Sequence, residues 1–354
     1  ASPLLHGLRG VEADSDGGFV RARAGEWALP CTCEGVDVPT LAGEQRLALE
    51  EAARVARYRF LGRVAADLGA HTVAVGHHAD DQAETVLMHW MRGAGLAGLR
   101  GMLPRIRLQD YRLAGGHPTQ VPRADLSLIR PLLEVTRAEI QAYCDIHGLE
   151  PRFDRSNLDT TYFRNWLRHE VLPLMTSHNP NVREVVRRSA RVIADDYALL
   201  RSLLAETWPR VVVEDTSAEG RLQAAEALPD SAWPDDELPD GVGEASGVGA
   251  PAARIVFDLA AWRALPTSLQ RSSLREAIHR LRRSLRNINF VHVEDALLVA
   301  RDGTTGKQAT LPGGLVLALG YDRFTIADAG AADPRPDQPL LLPGSVACLP
   351  VVPS

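Results

Sequence analysis

Within the run GHHADDQAET, residues 76–85, two histidines stand side by side and are followed by two aspartates and a glutamate. Asp81 and Glu84 are three residues apart, so a helix sets them on one face, with Asp80 four residues before Glu84 on an adjacent line. Such a set has two chemical uses. His77, His78, Asp80 and Asp81 are ligand types that bind a divalent cation, and the carboxylates together could hold a cationic amine. A plainer account makes Asp80 or Asp81 the cap of the helix, well placed against its dipole. That account explains one acid and leaves the histidine pair and Glu84 over.

Arginines supply the complementary charge. Arg164, Asn165 and Arg168 lie in YFRNWLRHEVLPL, where the two arginines sit at i and i+4 on one side of a helical stretch, suited to phosphate or to an ordinary solvated face. Arg54 and Arg57 occupy an earlier helical stretch and could pair with phosphate or a carboxylate. In SLQRSSLREAIHRLRRSLRNI, apolar Leu274, Ile278, Leu281, Leu285 and Ile288 recur at three- and four-residue steps. Arg271, Arg275, His279, Arg282, Arg283 and Arg286 take the other side, as on many exposed helices or on one that follows a nucleic-acid backbone.

These groups need elements to position them. Residues 41–70 carry a helical apolar spacing, as one long helix or two with a break. TVAVG, residues 72–76, reads as a short buried strand, then HHADDQ as a polar turn and AETVLMHWMRG as a helix with Val86, Leu87, Trp90 and Met91 on its buried face. Strand, turn, helix is an α/β unit, whose site lies at the strand's C-terminal end. Thr136, with Glu139 three residues on, predicts a capped helix running to Gly148. From about residue 176 a long amphipathic helix, or a pair, precedes IVFDLAAWRALP, and KQATLPGGLVLALGYDRFTIAD predicts a β-hairpin about Pro-Gly-Gly.

The chain has 354 residues, 45% of them hydrophobic and 24% charged, so more than one domain is expected. No run reaches the ~20 apolar residues of a membrane helix, and the first residues have no secretory pattern. Four cysteines are too few and too scattered for a disulfide framework, and Cys31-x-Cys33 lacks the second pair of a structural zinc site. A cytoplasmic enzyme is the expectation. The net charge of −6 is local: residues 214–244 hold ten acids and one base, so the remainder is positive. That acidic window is rich in Pro, Gly, Ser and Ala, and 214–253 reads as a disordered insertion.

HGLRG (residues 6–10), GHHADDQAETVLMHWMRGAGLAGLRGM (residues 76–102), and RPLLEVTRAEIQAYC with DRSNLDTTYFRNWLRHEVLPLM (within residues 130–175) occur in that order. Together they resemble the lysidine synthetase family of the PP-loop ATP pyrophosphatases. QRSSLREAIHRL, VHVEDALLV and KQATLPGG resemble that family's middle domain. The resemblance implies α/β architecture: a partial doubly wound parallel sheet, adenine nucleotide α hydrolase-like, over residues 1–175. A mainly helical tRNA-binding domain over 176–328 follows, and residues 329–354 begin another domain. It implies that ATP, with Mg²⁺, activates the wobble cytidine of the CAU anticodon of tRNA(Ile), and that L-lysine then displaces AMP. Asp81 and Glu84 would hold the lysine ammonium groups with Arg54 and Arg57 on its carboxylate, and Asp80 and Asp81 could take Mg²⁺. His77 and His78 would contact nucleotide or take a proton from the amine. His6, Arg164, Asn165, Arg168, Arg271 and Arg275 fall on the nucleotide and tRNA side. A homodimer is also implied.

The family's SGGxDS loop, which cradles the ATP phosphates, stands upstream of HGLRG, and only five residues precede HGLRG here. DSDGG, residues 14–18, follows HGLRG and is no substitute. The expectation is therefore an incomplete chain that binds ATP poorly and makes no lysidine. Alternatives are a metal-dependent phosphohydrolase, which would hold metal without ATP, and a non-catalytic tRNA-binding remnant. Related tRNA thiolases fit less well, lacking here their paired C-x-x-C cysteines.

Overall fold

A computed structural model describes residues 4–5, 11–45, 47, 49–108, 125–152, 155–217, 253–282 and 290–329. The described residues up to Ser202 form one compact unit, and those from Leu203 onward a second. His6, Arg283, Arg286, residues 218–252 of the acidic window and residues 330–354 lie outside the described residues.

The first unit is α/β. A two-residue strand β1 (Leu4–Leu5) pairs in parallel with β2 (Glu34–Gly35), and α1 (Val11–Glu26) joins them. Residues 14–18 therefore lie in a helix and make no turn. The helical spacing over 41–70 resolves into α2 (Val38–Gln45) and α3 (Leu49–Asp67), the second of the two readings. Gly69, at φ +63°, ends α3 in the left-handed conformation that a side chain disfavours. The chain then enters β3 (Thr72–Ala74), three residues of the five expected. β3 pairs in parallel with β5 (Ser127–Ile129), and β4 (Arg105–Arg107) joins the other side of β5 antiparallel. Val55, Tyr58 and Ala65 of α3 pack against Val73, Ile106, Leu108, Leu126 and Leu128, which is the core that holds this sheet in place.

After β3 comes α4 (Ala79–Met91), then a turn through Gly93 and the short α5 (Leu96–Leu99). Val86 and Leu87 are buried as expected, but Trp90 and Met91 are 66% and 46% exposed. In that last turn it is His89 that is covered, buried with its Nδ1 2.7 Å from Gly98 O of α5, while these two side chains are left to solvent. α6 (Arg137–Ile146) carries the predicted cap: Thr136 Oγ1 accepts from Glu139 N, and Glu139 Oε2 accepts from Thr136 N at 2.8 Å. A 3₁₀ turn (Arg155–Leu158) leads to α7 (Phe163–Trp166), a π-helical turn (Leu167–Val171) and α8 (Leu172–His178) in unbroken succession. The long amphipathic helix is single, α9 (Val182–Val211), and the division between the units falls within it.

The second unit carries more sheet than expected. Besides α10 (Leu259–Arg263), α11 (Thr267–Arg282) and α12 (Phe290–Asp302) it has five antiparallel strands. These are β6 (Val212–Asp215), β7 (Arg254–Asp258), β8 (Gln308–Leu311), β9 (Leu315–Leu319) and β10 (Arg323–Asp328), in the order β6-β7-β10-β9-β8. The predicted hairpin is β8–β9, and β10 extends it. β6 and β7 are short and separated by the acidic window, so nothing local announces their pairing. Glu214 and Asp215, expected in a disordered insertion, belong to β6 and pair with Arg254 and Arg280. Phe257 stacks on Phe324 with ring centres 4.6 Å apart, and Trp262 meets Phe324 edge-on. Among the described residues no helix is long and apolar enough to cross a membrane.

Candidate active site

The head of α4 is held by its own side chains. His78 is the cap: its Nδ1 accepts from Asp81 N at 3.4 Å, and Asp81 Oδ2 accepts from His78 N at 3.0 Å. The capping role that sequence gave to an aspartate thus falls to the histidine, with Asp81 as its reciprocal partner. Ala79 N donates to Val135 O, which ties this end of α4 to the segment before α6. Asp80 turns the other way. It accepts from Arg137 N at 2.8 Å and pairs with Arg183 of α9 at 3.2 Å.

One turn further, Glu84 is 1% exposed and fully engaged. Arg168 grips it with both arms, Nε to Oε1 and Nη2 to Oε2, each at 2.7 Å, and Arg164 Nε reaches Oε2 at 3.1 Å. Arg168 Nη2 also lies 3.3 Å from Asp81 Oδ1, and Arg164 3.6 Å from the same oxygen. Two carboxylates and two guanidiniums therefore form one network, with the paired geometry that makes arginine–carboxylate bonds strong. The hydrogen bond to Glu84 leads the causes that raise the Arg168 pKa above its ordinary value, followed by opposing desolvation and then the charges of Glu84, Asp81 and Asp80. Arg168 stays charged.

The π turn is what sets these arginines and their supporting leucines together. Leu172 N donates to Leu167 O, five residues back. In a regular helix residues five apart point to different sides, yet Leu167 and Leu172 are both fully buried and both pack with Leu87 of α4. Pro173 follows at once, and in a regular helix its ring would collide with the His169 carbonyl. The wider turn relieves that collision and keeps both leucines on α4. Asn165 faces backward, its Nδ2 donating to Asp159 O at 2.9 Å, so it fixes the loop before α7.

His77 immediately precedes the cap residue. Its Nδ1 accepts from Arg130 Nε at 3.3 Å. Burial, then the charge of Arg130, pushes the His77 pKa down to about 4, with Asp81 opposing and Arg164 and Arg54 adding to the fall. His77 is therefore neutral at physiological pH. Arg54 is half-buried on α3 and its charge is felt at His77, whereas Arg57, three residues on, is exposed.

Sequence reasoning thus picked residues that do gather: His77, His78, Asp80, Asp81, Glu84, Arg54, Arg164 and Arg168. It missed Arg130, Arg183 and Gln82. Gln82 is buried and spans the glycine turn, donating to Met102 O and accepting from Met102 N at 2.8 Å. Arg130 opens the string RPLLEV, where one arginine before a proline gives no periodic signal. Arg271 and Arg275 belong to the second unit, where Arg271 pairs with Glu294 of α12. Arg280, on the same helix but outside the expected basic face, binds Asp215 and Glu276 and lies over Trp208; of that face, His279 is buried instead of exposed and Arg282 lies 4.0 Å from Asp328. Asp80 and Asp81, expected as possible Mg²⁺ ligands, are both engaged by the protein itself. Each carboxylate is taken by a different arginine, and among the described residues no three His, Cys, Asp or Glu side chains are grouped to hold a metal ion.

The PP-loop domain family matches residues 2–175, the part of the chain that contains all of this site except Arg183. A tRNA(Ile)-lysidine synthase of Geobacter sulfurreducens is 36% identical over 326 residues, covering 92% of this chain and 58% of that protein. That of Dehalococcoides mccartyi is 33% identical, covering 91% and 59%. That of Symbiobacterium thermophilum is 33% identical, covering 97% and 63%. The chain spans about three-fifths of the length of these curated relatives. Residues 2–175 belong to the PP-loop domain family, and the relatives the chain resembles over nine-tenths of its length are tRNA(Ile)-lysidine synthases.

Proposed function

We propose that this protein takes part in ATP-dependent ligation of L-lysine to the wobble cytidine of the CAU anticodon of tRNA(Ile). The observation that carries the reading is the Asp81–Glu84–Arg164–Arg168 network at the head of α4, beside a neutral His77. ATP supplies the activation of the base and its AMP leaving group. Arg168 grips Glu84 through two bonds, while Arg164 is the more exposed of the pair and holds it through one. Its other bonds, from Nη2 to Asp81 O and Thr85 Oγ1, are long at 3.4 Å, so Arg164 is the one of the pair to turn toward an anionic phosphate, and its departure leaves carboxylate charge at Asp81 and Glu84 for the lysine ammonium groups. Arg54 is the candidate for the lysine carboxylate, with Arg57 on the rim. Asp80 and Asp81 as they stand do not fit a protein-held Mg²⁺, so the metal of this reading arrives on the nucleotide phosphates.

In this reading residues 1–175 are catalytic and 176–328 hold tRNA. Arg271 and Arg275 of α11 lie on the tRNA side, the half-exposed Arg271–Glu294 pair being one that a phosphate can exchange into. A cytoplasmic location follows from the substrate, and a homodimer, suggested by the resemblance, is checked by sedimentation. The decisive assay incubates the protein, carrying an SGGxDS loop ahead of HGLRG, with ATP, L-lysine and a CAU-anticodon transcript, then digests the RNA for mass spectrometry. A lysine-dependent mass gain on one cytidine, with AMP release, is expected, and Asp81→Asn should abolish it. No gain, with metal-dependent phosphoester cleavage in its place, would sink the proposal.

A further inference from the structure

The surroundings of His77 fix the state of its ring. Arg130 is only 4% exposed, donating Nε–H to His77 Nδ1 at 3.3 Å and Nη1–H to Leu103 O at 2.7 Å. A guanidinium has donors and no acceptor, so Nδ1 must be the accepting nitrogen. A neutral imidazole that accepts at Nδ1 carries its hydrogen on Nε2. We infer that Arg130 is a positioning residue that locks His77 in the Nε2–H tautomer, so that His77 serves the reaction as a hydrogen-bond donor and not as a base. This rests on the ligase reading above for what the donor meets, but not for the tautomer itself.

The lock is stiff at both ends. Leu103 follows the Gly101–Met102 turn that Gln82 bonds on both sides, so the carbonyl anchoring Arg130 is itself held. The charged groups felt by the ring act mainly in one direction: Arg130, Arg164 and Arg54 oppose an imidazolium, and Asp81 alone favours it. Protonating Nδ1 would also bring N–H against N–H at the Arg130 contact. The partner for Nε2–H is an oxygen acceptor, either a phosphate oxygen of the nucleotide or the carbonyl oxygen of the base. The proton given up by an attacking amine must then go to a carboxylate or to solvent, since His77 cannot take it.

The resting protein, labelled with ¹⁵N-histidine, tests this without any turnover. Long-range ¹H–¹⁵N correlation, with the His77 signals identified by their loss in His77→Phe, should show Nε2 protonated and Nδ1 bare, unchanged between about pH 8 and 5. Arg130→Met should raise the titration midpoint toward the ordinary value near 6.5 and mix the tautomers. An Nδ1–H tautomer, or an imidazolium at pH 7, in the wild-type protein overturns the inference whether or not lysidine is made. Should Arg130→Met not fold, the wild-type spectrum and Arg130→Lys, which keeps a donor, still decide it. In the ligation assay His77→Phe should lose about 10²–10³ in kcat, the scale for one oriented donor. His77→Gln, which keeps a donor near Nε2, should recover at least about tenfold of that loss; equal inactivity of Gln and Phe would also refute the donor role.

Discussion

Glu84→Gln is the sharpest perturbation of the network. It preserves shape and one accepting oxygen, but leaves two guanidiniums facing a neutral group inside the protein. Glu84 is 1% exposed and takes three charge-assisted bonds of 2.7, 2.7 and 3.1 Å. Breaking a buried ion pair costs about 3–5 kcal/mol. Arg164, 34% exposed, recovers part of its hydration, and the retained oxygen still accepts one bond, so about 2–3 kcal/mol is expected. For a unit of about 200 residues that is a fall in Tm of roughly 5–10 °C. Urea and thermal denaturation of wild type, Glu84→Gln, Arg168→Met and the double variant Glu84→Gln/Arg168→Met, followed by far-UV circular dichroism, give the whole cycle. Removing both charges should restore most of the stability lost in either single variant, because no uncompensated Arg168–Glu84 charge remains. The double variant should nonetheless fail to ligate lysine. Single variants within about 0.5 kcal/mol of wild type, or a double variant as unstable as the sum of the two, would refute the reasoning.

His77 should make stability depend on pH. Its folded pKa, about 4, lies below the ordinary 6.5, so the unfolded chain binds the proton first. The contribution is present above pH 6.5 and is lost as pH falls toward 4, reaching at most about 3 kcal/mol, and less for a ring that water partly reaches. Denaturation midpoints of wild type and His77→Asn across that window should converge on acidification. Gly101→Ala should cost about 2 kcal/mol or more in a urea titration, since Gly101 sits at φ +65° and a Cβ would lie 2.7 Å from the Gln82 amide. Thr136→Ala removes the side-chain cap of α6 and should cost about 1 kcal/mol, visible as faster amide exchange at Glu139.

Much of the first unit was legible because local signals agreed with each other. TVAVG before HHADD gave the strand and the helix start, and Thr136 with Glu139 gave a cap that the structure keeps. The acid and arginine members of the site were legible by spacing, since Asp81 and Glu84, and Arg164 and Arg168, each share a helix face. What sequence could not supply was how these faces meet. Nothing in the spacing shows that Glu84 is gripped by Arg168 across 84 residues of chain, or that Arg130 reaches His77 across 53. The sheet of the second unit was hidden for a related reason. β6 and β7 are four and five residues long and lie on either side of the acidic window, so their ladder depends on long-range pairing alone. The opposite error came from composition: Glu214 and Asp215 look like the start of an unstructured run, but Arg254 and Arg280 neutralise them in a strand.

The wide turn at Leu167–Val171 has a bearing on how this sequence can change over time. Relative to an ordinary helix the turn accommodates one residue more, and Pro173 is the reason the extra residue is needed. Deleting one residue there would bring the two buried leucines to a four-residue spacing that suits a regular helix, but would press the proline ring on a carbonyl. Replacing the proline alone would leave a surplus residue with no steric cause. The two features are therefore a matched pair, acquired or discarded together. In a comparison of relatives, a one-residue gap in this helix should coincide with a missing proline, with Arg164 before the turn and Arg168 within it left in place.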